Sequence, residues 1–169
     1  HSFGRGSHKA HLFMNSGVKV EAFVLAGGKS SRMGSDKGFK LIKGRPMVSY
    51  ILNALKEADV PTRIIANDIE YKSFKFPVYH DVVREKGPMG GLLSAFENTK
   101  ADVVLLISCD MPLISSEAIK QVLKLADKDN IVVATIEERV NPVFALYPVI
   151  FKPEVEDRIA SGRLKRSKF

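Results

Sequence analysis

The chain has 169 residues, of which 45% are hydrophobic and 27% charged, with a formal net charge of +7 and one cysteine, Cys109. This length suits a single domain with a well-packed core, and one cysteine excludes an internal disulfide or a multi-cysteine zinc site. The apolar runs are all shorter than the roughly 18 residues that a membrane span requires, so we expect a soluble, cytoplasmic protein without a membrane partner.

The positive charge is concentrated at the two ends of the chain. Residues 1–13 contribute +2 and residues 158–169 contribute +5, without an acid in either segment, so the body between them is neutral. A nucleic-acid-binding protein usually spreads Lys and Arg along one face, and this distribution therefore argues against a nucleic-acid partner. We interpret 1–13 as a disordered leader or tag remnant that precedes a single domain at 14–169.

From Val18 onward, short β-branched runs alternate with longer amphipathic stretches, and this alternation predicts the secondary structure. Strands are predicted at 18–26, 62–67, 101–108 and 130–135. Helices are predicted at 46–58, 88–99, 115–128 and 151–163. Such an order is typical of a Rossmann-like α/β fold, in which a mainly parallel sheet is flanked by helices on both faces. Ligands of such sheets bind on the loops that follow the carboxyl ends of the strands.

The loop after the first predicted strand reads VLAGGKSSRMGSDKGF, residues 24–39. Gly27 and Gly28 allow a ligand to approach the backbone, whose N–H groups can hold phosphate oxygens. The spacing lacks both the G-x-G-x-x-G of dinucleotide-binding proteins and the first glycine of a P-loop. Arg32 and Lys37 follow in the same loop and are predicted to neutralise charge on a polyphosphate during transfer. A solvated surface loop is the alternative interpretation of the same residues.

Asp110 directly follows the apolar run VVLLIS of the third predicted strand. At the carboxyl end of a buried strand, a carboxylate can hold Mg²⁺ between phosphates. The alternative is an Asp that begins the turn at Met111 and Pro112. Because the glycine loop is predicted at the same edge of the sheet, the metal-binding role is favoured.

The segment LAGGKSSRMGSDK resembles the signature LAGGxSxRMGxDK of the molybdenum cofactor nucleotidyltransferases, which have the nucleotide-diphospho-sugar-transferase-like fold. Three further segments resemble the family in the same order along the chain: DVVREKGPMGGLLSAF, SCDMPLI and NPVFALY. Within this family, the motifs of the chain are most similar to those of the molybdenum cofactor guanylyltransferases, the molybdopterin-guanine dinucleotide biosynthesis protein A family.

This resemblance implies an enzyme that transfers GMP from GTP to molybdopterin, releasing pyrophosphate. It implies catalytic roles for Arg32, Lys37 and Asp110, with Asp110 binding Mg²⁺. The residues that it implies for nucleotide binding are Leu25, Ala26, Gly27, Gly28, Lys37, Asn67, Asp81 and Asp110. Without the resemblance, Asn67 and Asp81 would be read as turn or capping residues. Molybdoenzymes or their chaperones are the further partners that it suggests.

The sequence departs from the family pattern at two places. Asn141 precedes the Pro-Val pair, where the family usually has His or Gln. The chain ends at SGRLKRSKF, whereas the family continues to an N-x-N-T-P segment, and we interpret the chain as a truncated or partly ordered copy. Arg163 and Lys165 in this basic tail either contact anionic molybdopterin or form a solvated helix end.

Two alternative functions remain open at this point. A cytidylyltransferase, or another sugar-phosphate nucleotidyltransferase, would use the same scaffold, because a few loop contacts decide which base is bound. A non-catalytic adaptor would bind the nucleotide or the cofactor in the same cleft but would not catalyse the transfer. The presence of Arg32, Lys37 and Asp110 favours catalysis over the adaptor.

Overall fold

The computed structural model describes residues 13–15, 17–26, 29–30, 35–80, 87–111 and 113–165. Its strands are β1 (Phe13–Asn15), β2 (Val18–Leu25), β3 (Lys29–Ser30), β4 (Ser35–Asp36), β5 (Leu41–Ile42), β6 (Arg45–Pro46), β7 (Thr62–Ile65), β8 (Val78–Tyr79), β9 (Val103–Ser108), β10 (Val132–Ile136) and β11 (Arg139–Pro148). Its α-helices are α1 (Met47–Glu57), α2 (Gly87–Asn98), α3 (Ser116–Leu123) and α4 (Lys152–Lys165). Short 3₁₀ helices span Lys37–Phe39, Ile69–Phe74 and Val149–Phe151.

The central sheet has the strand order β10-β11-β9-β2-β7-β8, and β1 pairs with the start of β2. Strand β2 is parallel to both of its main neighbours, β9 and β7, and β7 is parallel to β8. Strand β11 is antiparallel to β9 and β10, and β1 is antiparallel to β2. The predicted α/β fold with a mainly parallel sheet is confirmed.

The side chains of β2 alternate between the two faces of the sheet and so divide the core into two layers. Val20, Ala22 and Val24 pack with α1 and α3, whereas Phe23 packs with α2 and α4. All four of these side chains are fully buried. Burial on both faces explains why this strand reads as a nearly continuous apolar run in the sequence. No helix among the described residues is long and apolar enough to cross a membrane.

Strand β11 was not predicted from the sequence. It contains Pro142 and Pro148, and proline is uncommon in strand interiors because it cannot donate a ladder hydrogen bond. The structure tolerates Pro142 because pairing with β9 begins only at Phe144. At the other end of the chain, Phe13 is the first residue of β1, although the sequence assigned it to the leader. Residues 1–12 lie outside the described residues.

Helix α3 is shorter than the predicted helix at 115–128, because it ends at Leu123. Ser115 caps its first turn, accepting a hydrogen bond from the Ala118 N–H. Beyond its end, the carboxylate of Asp127 accepts a hydrogen bond from the Asp129 N–H over 2.7 Å. This local bond competes with helix formation, and it also lowers the pKa of Asp127.

Candidate active site

The carboxyl ends of three neighbouring strands bring several predicted site residues to one edge of the sheet. Strands β7, β2 and β9 are adjacent, and their ends stand in register at Ile65, Leu25 and Ser108. The predicted residues at or just after these strand ends are Leu25, Ala26, Asn67 and Asp110. The topology therefore groups residues that are up to 85 positions apart in sequence, the span from Leu25 to Asp110.

Backbone hydrogen bonds hold the end of β2 in place. The Cys109 N–H donates to Leu25 O over 3.0 Å, and the Ala26 N–H donates to Ile65 O over 3.1 Å. The hydroxyl of the buried Tyr71 donates to Ala26 O over 2.6 Å. Because a carbonyl oxygen carries two lone pairs, the bond from Tyr71 leaves Ala26 O able to accept a second donor. The last described residues before the glycine pair are thus held by three different parts of the chain.

The side chain of Leu25 is half-buried and packs against α2. A Cβ added to Gly91, in the second turn of α2, would overlap Leu25 Cδ2. The absence of a side chain at Gly91 therefore lets α2 approach the end of β2 closely.

Lys37 is exposed and begins the 3₁₀ helix Lys37–Phe39. Directly after it, Gly38 is buried against Tyr71, and a Cβ at Gly38 would lie 2.5 Å from Tyr71 Oη. The ring of Phe39 stacks on Tyr71 with the centroids 4.3 Å apart. Because Tyr71 also bonds to Ala26, these contacts bring the backbone of Lys37 near the end of β2.

Asn67 is exposed just beyond β7, following Ala66, whose N–H donates to Tyr79 O over 2.9 Å. Its place at the sheet edge is compatible with nucleotide binding, and its role stays a prediction. The other predicted site residues, Gly27, Gly28, Arg32 and Asp81, lie outside the described residues.

Asp110 is exposed just beyond β9. Its Oδ1 accepts a hydrogen bond from Ser108 Oγ over 2.6 Å, and its N–H donates to the same Oγ over 3.3 Å. Its Oδ2 makes no hydrogen bond within the described part of the chain. Ser108 thus orients the carboxylate and leaves one oxygen for a ligand.

The described residues contain no group of three or more His, Cys, Asp or Glu side chains that could hold a metal ion. A protein cage for a metal is therefore not part of the described structure. Mg²⁺ is often bound in another way, through one or two carboxylates together with substrate phosphates and water. The exposed, oriented carboxylate of Asp110 fits this second mode.

The first residues of β11, 139–143, extend past the end of β9, because pairing between the two strands starts at Phe144. Asn141 lies in this extension, and its Nδ2 is 3.8 Å from the sulfur of Met111. The position at which the sequence departs from the family pattern therefore borders the segment that follows Asp110.

Tyr147 supports the same extension of β11 from within the strand. Its hydroxyl donates to Pro142 O over 2.6 Å. Burial raises the pKa of this phenol, so the hydroxyl stays protonated and able to donate at neutral pH.

Sequence reasoning missed two residues that shape this edge, Tyr71 and Ser108. The contact of Ser108 could have been predicted from the local sequence, because a hydroxyl two positions before an Asp is within reach of its carboxylate. Tyr71 had a weaker local signal, an aromatic residue within the polar stretch NDIEYKS. Its contacts with Ala26 and Gly38 come from residues 45 and 33 positions away, and no local pattern predicts them.

A cleft of about 260 Å³ lies between α1 and the start of α3. Its lining includes Arg45, Asn53 and Glu57, and none of the predicted site residues that the structure describes. The predicted site residues that the structure describes lie at the strand ends instead.

The class of this protein, a nucleotidyltransferase, is shown by the family model that it matches. The chain belongs to the MobA-like NTP transferase domain family, whose model matches residues 22–167. The family resemblance noted in the sequence and the prediction of a nucleotidyltransferase enzyme are thereby confirmed.

Named relatives and solved structures agree with this family. The molybdenum cofactor guanylyltransferase of Haemophilus influenzae (strain ATCC 51907 / KW20 / Rd) is 34% identical over 158 residues, which are 90% of this chain and 82% of the relative. The probable molybdenum cofactor guanylyltransferase of Flavobacterium johnsoniae is 32% identical over 147 residues, 86% of this chain and 77% of the relative. The structure of molybdopterin-guanine dinucleotide biosynthesis protein A from Archaeoglobus fulgidus has a TM-score of 0.67 at 20% identity, covering 84% of this chain and 74% of that one, and it shows the shared fold.

Proposed function

We propose that this protein transfers GMP from GTP to molybdopterin and releases pyrophosphate, forming molybdopterin guanine dinucleotide. The observation that carries the proposal is the convergence of Ala26, Lys37, Asn67 and Asp110 at the carboxyl ends of β2, β7 and β9. Its substrates follow from the family and from the guanylyltransferase names of the relatives described above.

The nucleotide is bound, in this proposal, by the loop after β2 and by the ends of the neighbouring strands. The proposal assigns nucleotide contacts to Gly27, Gly28 and the adjacent backbone of Leu25 and Ala26, and phosphate contacts to Lys37. Support comes from Ala26 O, which can accept a second donor, such as an amino group of a base, beside its bond to Tyr71. Asn67 and Asp81 complete the set of nucleotide-binding residues.

The reaction joins an oxygen of the molybdopterin phosphate to the α-phosphorus of GTP and breaks the bond from that phosphorus to pyrophosphate. A phosphate monoester has a second pKa of about 6, so the attacking group is largely ionised at neutral pH and needs no general base. The protein therefore acts by positioning and by charge. Arg32 and Lys37 are the cations that stabilise negative charge on the α-phosphate and the leaving group.

Asp110 is the residue that would hold a divalent metal, which we propose to be Mg²⁺. When bound, the metal supplies positive charge to the phosphates. Support for this metal site comes from Ser108, whose hydroxyl donates a hydrogen bond to Oδ1 of Asp110 and thereby orients Oδ2. The chain has a single cysteine, the buried Cys109, and therefore no internal disulfide; this suits a reducing compartment, and we propose that the reaction takes place in the cytoplasm.

The first test is calorimetric titration with GTP, CTP, ATP and UTP, each with and without Mg²⁺. Selective binding of GTP in the presence of Mg²⁺ is expected, and it would be followed by a turnover assay with freshly prepared molybdopterin. Selective CTP binding would instead assign the protein to the cytidylyltransferases. GTP binding without pyrophosphate release in the presence of molybdopterin would indicate an adaptor.

A further inference from the structure

Tyr71 contacts both ends of the loop that carries the predicted phosphate-binding residues. Its hydroxyl donates to Ala26 O, just before the glycine pair, and its ring lies against Gly38, just after Lys37. We infer that Tyr71 is a positioning residue that holds the two ends of loop 27–37 together and so sets the place of Lys37 relative to the end of β2. The consequence for catalysis rests on the function proposed above, whereas the consequence for the loop does not.

The ring of Tyr71 is held firmly enough to act in this way. Tyr71 has no exposed surface, and its ring lies 4.3 Å from that of Phe39 and 6.3 Å from that of Phe74, measured between centroids. The 3₁₀ helix that carries it is capped by Asp68, whose Oδ1 accepts from the Glu70 N–H over 2.9 Å. Close-packed interiors transmit displacement, so moving this ring would disturb the surrounding core.

Gly38 is part of the same arrangement for a steric reason. A Cβ at this position would lie 2.5 Å from Tyr71 Oη and 2.9 Å from Tyr71 Cε1, both too close for real atoms. The backbone of Gly38 can therefore approach the phenol only because the residue lacks a side chain. A larger residue at this position would push against the hydroxyl that bonds to Ala26.

The functional consequence is preorganisation. A phosphate-binding loop whose ends are held in place loses less conformational freedom when the ligand binds, and this strengthens binding. Removing the Tyr71 hydroxyl while keeping the ring deletes one buried hydrogen bond, which corresponds to a change of about fivefold to tenfold in an equilibrium constant.

The matched control is Tyr50. Its hydroxyl also donates to a backbone carbonyl, Ile42 O, over 2.5 Å, but this bond joins α1 to the β5–β6 ribbon rather than to Ala26. Tyr71→Phe and Tyr50→Phe therefore each remove a bond from a phenol hydroxyl to a backbone carbonyl, buried at Tyr71 and partly buried at Tyr50. Only Tyr71→Phe is expected to affect the ends of loop 27–37.

The decisive measurement is amide hydrogen exchange in the protein without nucleotide. Peptides covering 26–40 should exchange several-fold faster in Tyr71→Phe than in the wild type or Tyr50→Phe, while peptides of β9 stay equally protected in all three. Protection of 26–40 that is unchanged in Tyr71→Phe would overturn the inference, whichever nucleotide the protein binds. Equal loss of protection in β9 would also overturn it, because it would show general destabilisation.

Binding of Mg·GTP gives the second readout, measured at a temperature where all variants are folded. Tyr71→Phe should bind about fivefold to tenfold more weakly, and Tyr50→Phe should bind as the wild type does. Gly38→Ala should also bind weakly, and its effect should shrink in the Tyr71→Phe background, because the hydroxyl that it displaces is gone. Wild-type affinity in Tyr71→Phe would refute the role in nucleotide binding. If the wild type bound no nucleotide, the proposed function would fail, and hydrogen exchange alone would decide on Tyr71.

Discussion

At the scale of single residues, Asp110 is the residue to which the proposed function gives the most direct chemical role. It is exposed at the end of a buried strand, and Ser108 engages one carboxylate oxygen from two residues away. The same hydroxyl accepts from the Asp110 N–H, so the turn and the side chain are oriented by one short-range contact. This arrangement presents the second oxygen without a larger set of acidic residues nearby in the described structure.

We predict that Asp110→Asn lowers Mg²⁺-dependent turnover by about 100-fold, because the amide has nearly the shape of the carboxylate but lacks its charge. The measurement is pyrophosphate release across a titration of MgCl₂. Asp127→Asn is the control, since Asp127 accepts a backbone hydrogen bond in the turn after α3, away from the strand ends. Wild-type turnover in Asp110→Asn at every Mg²⁺ concentration would exclude the metal-binding role.

At the scale of elements, a buried charged cluster connects β2, β7 and the end of α2. Glu21 is buried within β2, and its Oε2 lies 3.0 Å from Nε of Arg63 on β7. Its Oε1 accepts from Thr99 Oγ1, just after α2. Arg63 also donates to Tyr79 on β8 and to Asn98 O at the end of α2. The cluster thus connects four elements, β2, β7, β8 and the end of α2.

We predict that Glu21→Ala reduces the free energy of unfolding by about 2–4 kcal/mol. This is less than the full cost of breaking a completely buried pair, because Arg63 keeps its other two partners and a quarter of its side chain is exposed. The measurement is urea unfolding at pH 7.

The control for Glu21→Ala is Glu97→Ala. Glu97 forms an exposed ion pair with Lys152, with the nitrogen and oxygen 3.2 Å apart. Exposed ion pairs contribute about 0–1 kcal/mol, so this variant should remain close to the wild type. An equally small effect in Glu21→Ala would show that the buried cluster does not stabilise the sheet.

At the scale of the whole molecule, the site exists only when the sheet is assembled. Ala26, Asn67 and Asp110 follow three strands that are far apart in sequence and become neighbours through the order β7-β2-β9. Tyr71, which comes from a fourth segment, contacts Ala26 and Gly38. A nucleotide that uses all these groups binds the folded chain and not the unfolded one.

We therefore predict that Mg·GTP at about 100 times its dissociation constant stabilises the fold by about 2.7 kcal/mol and raises Tm by roughly 5–10 °C. The measurement is differential scanning calorimetry, with Mg·ATP at the same concentration as the control. Removal of Mg²⁺ with EDTA should abolish most of the shift. A Tm that does not respond to GTP would contradict a nucleotide site at the sheet edge.

The fold class, the family and the order of most strands and helices could be predicted from the amino-acid sequence. These features are encoded locally: alternation of β-branched and amphipathic runs gives the elements, and a contiguous motif such as LAGGKSSRMGSDK gives the family. The same dependence on local patterns explains two wrong predictions. Strand β11 was not predicted because it contains Pro142 and Pro148, and α3 was predicted too long because the turn at Asp127 was not recognised.

Contacts between residues that are distant in sequence could not be predicted and became visible only in the folded chain. Tyr71 meets Ala26 and Gly38, Glu21 meets Arg63, and Asn141 meets Met111. Each of these contacts joins separate elements, so its formation depends on the strand order and on how closely the helices and turns pack. No pattern of period two or 3.6 carries that information, because such patterns report which face of an element is buried and not what covers it.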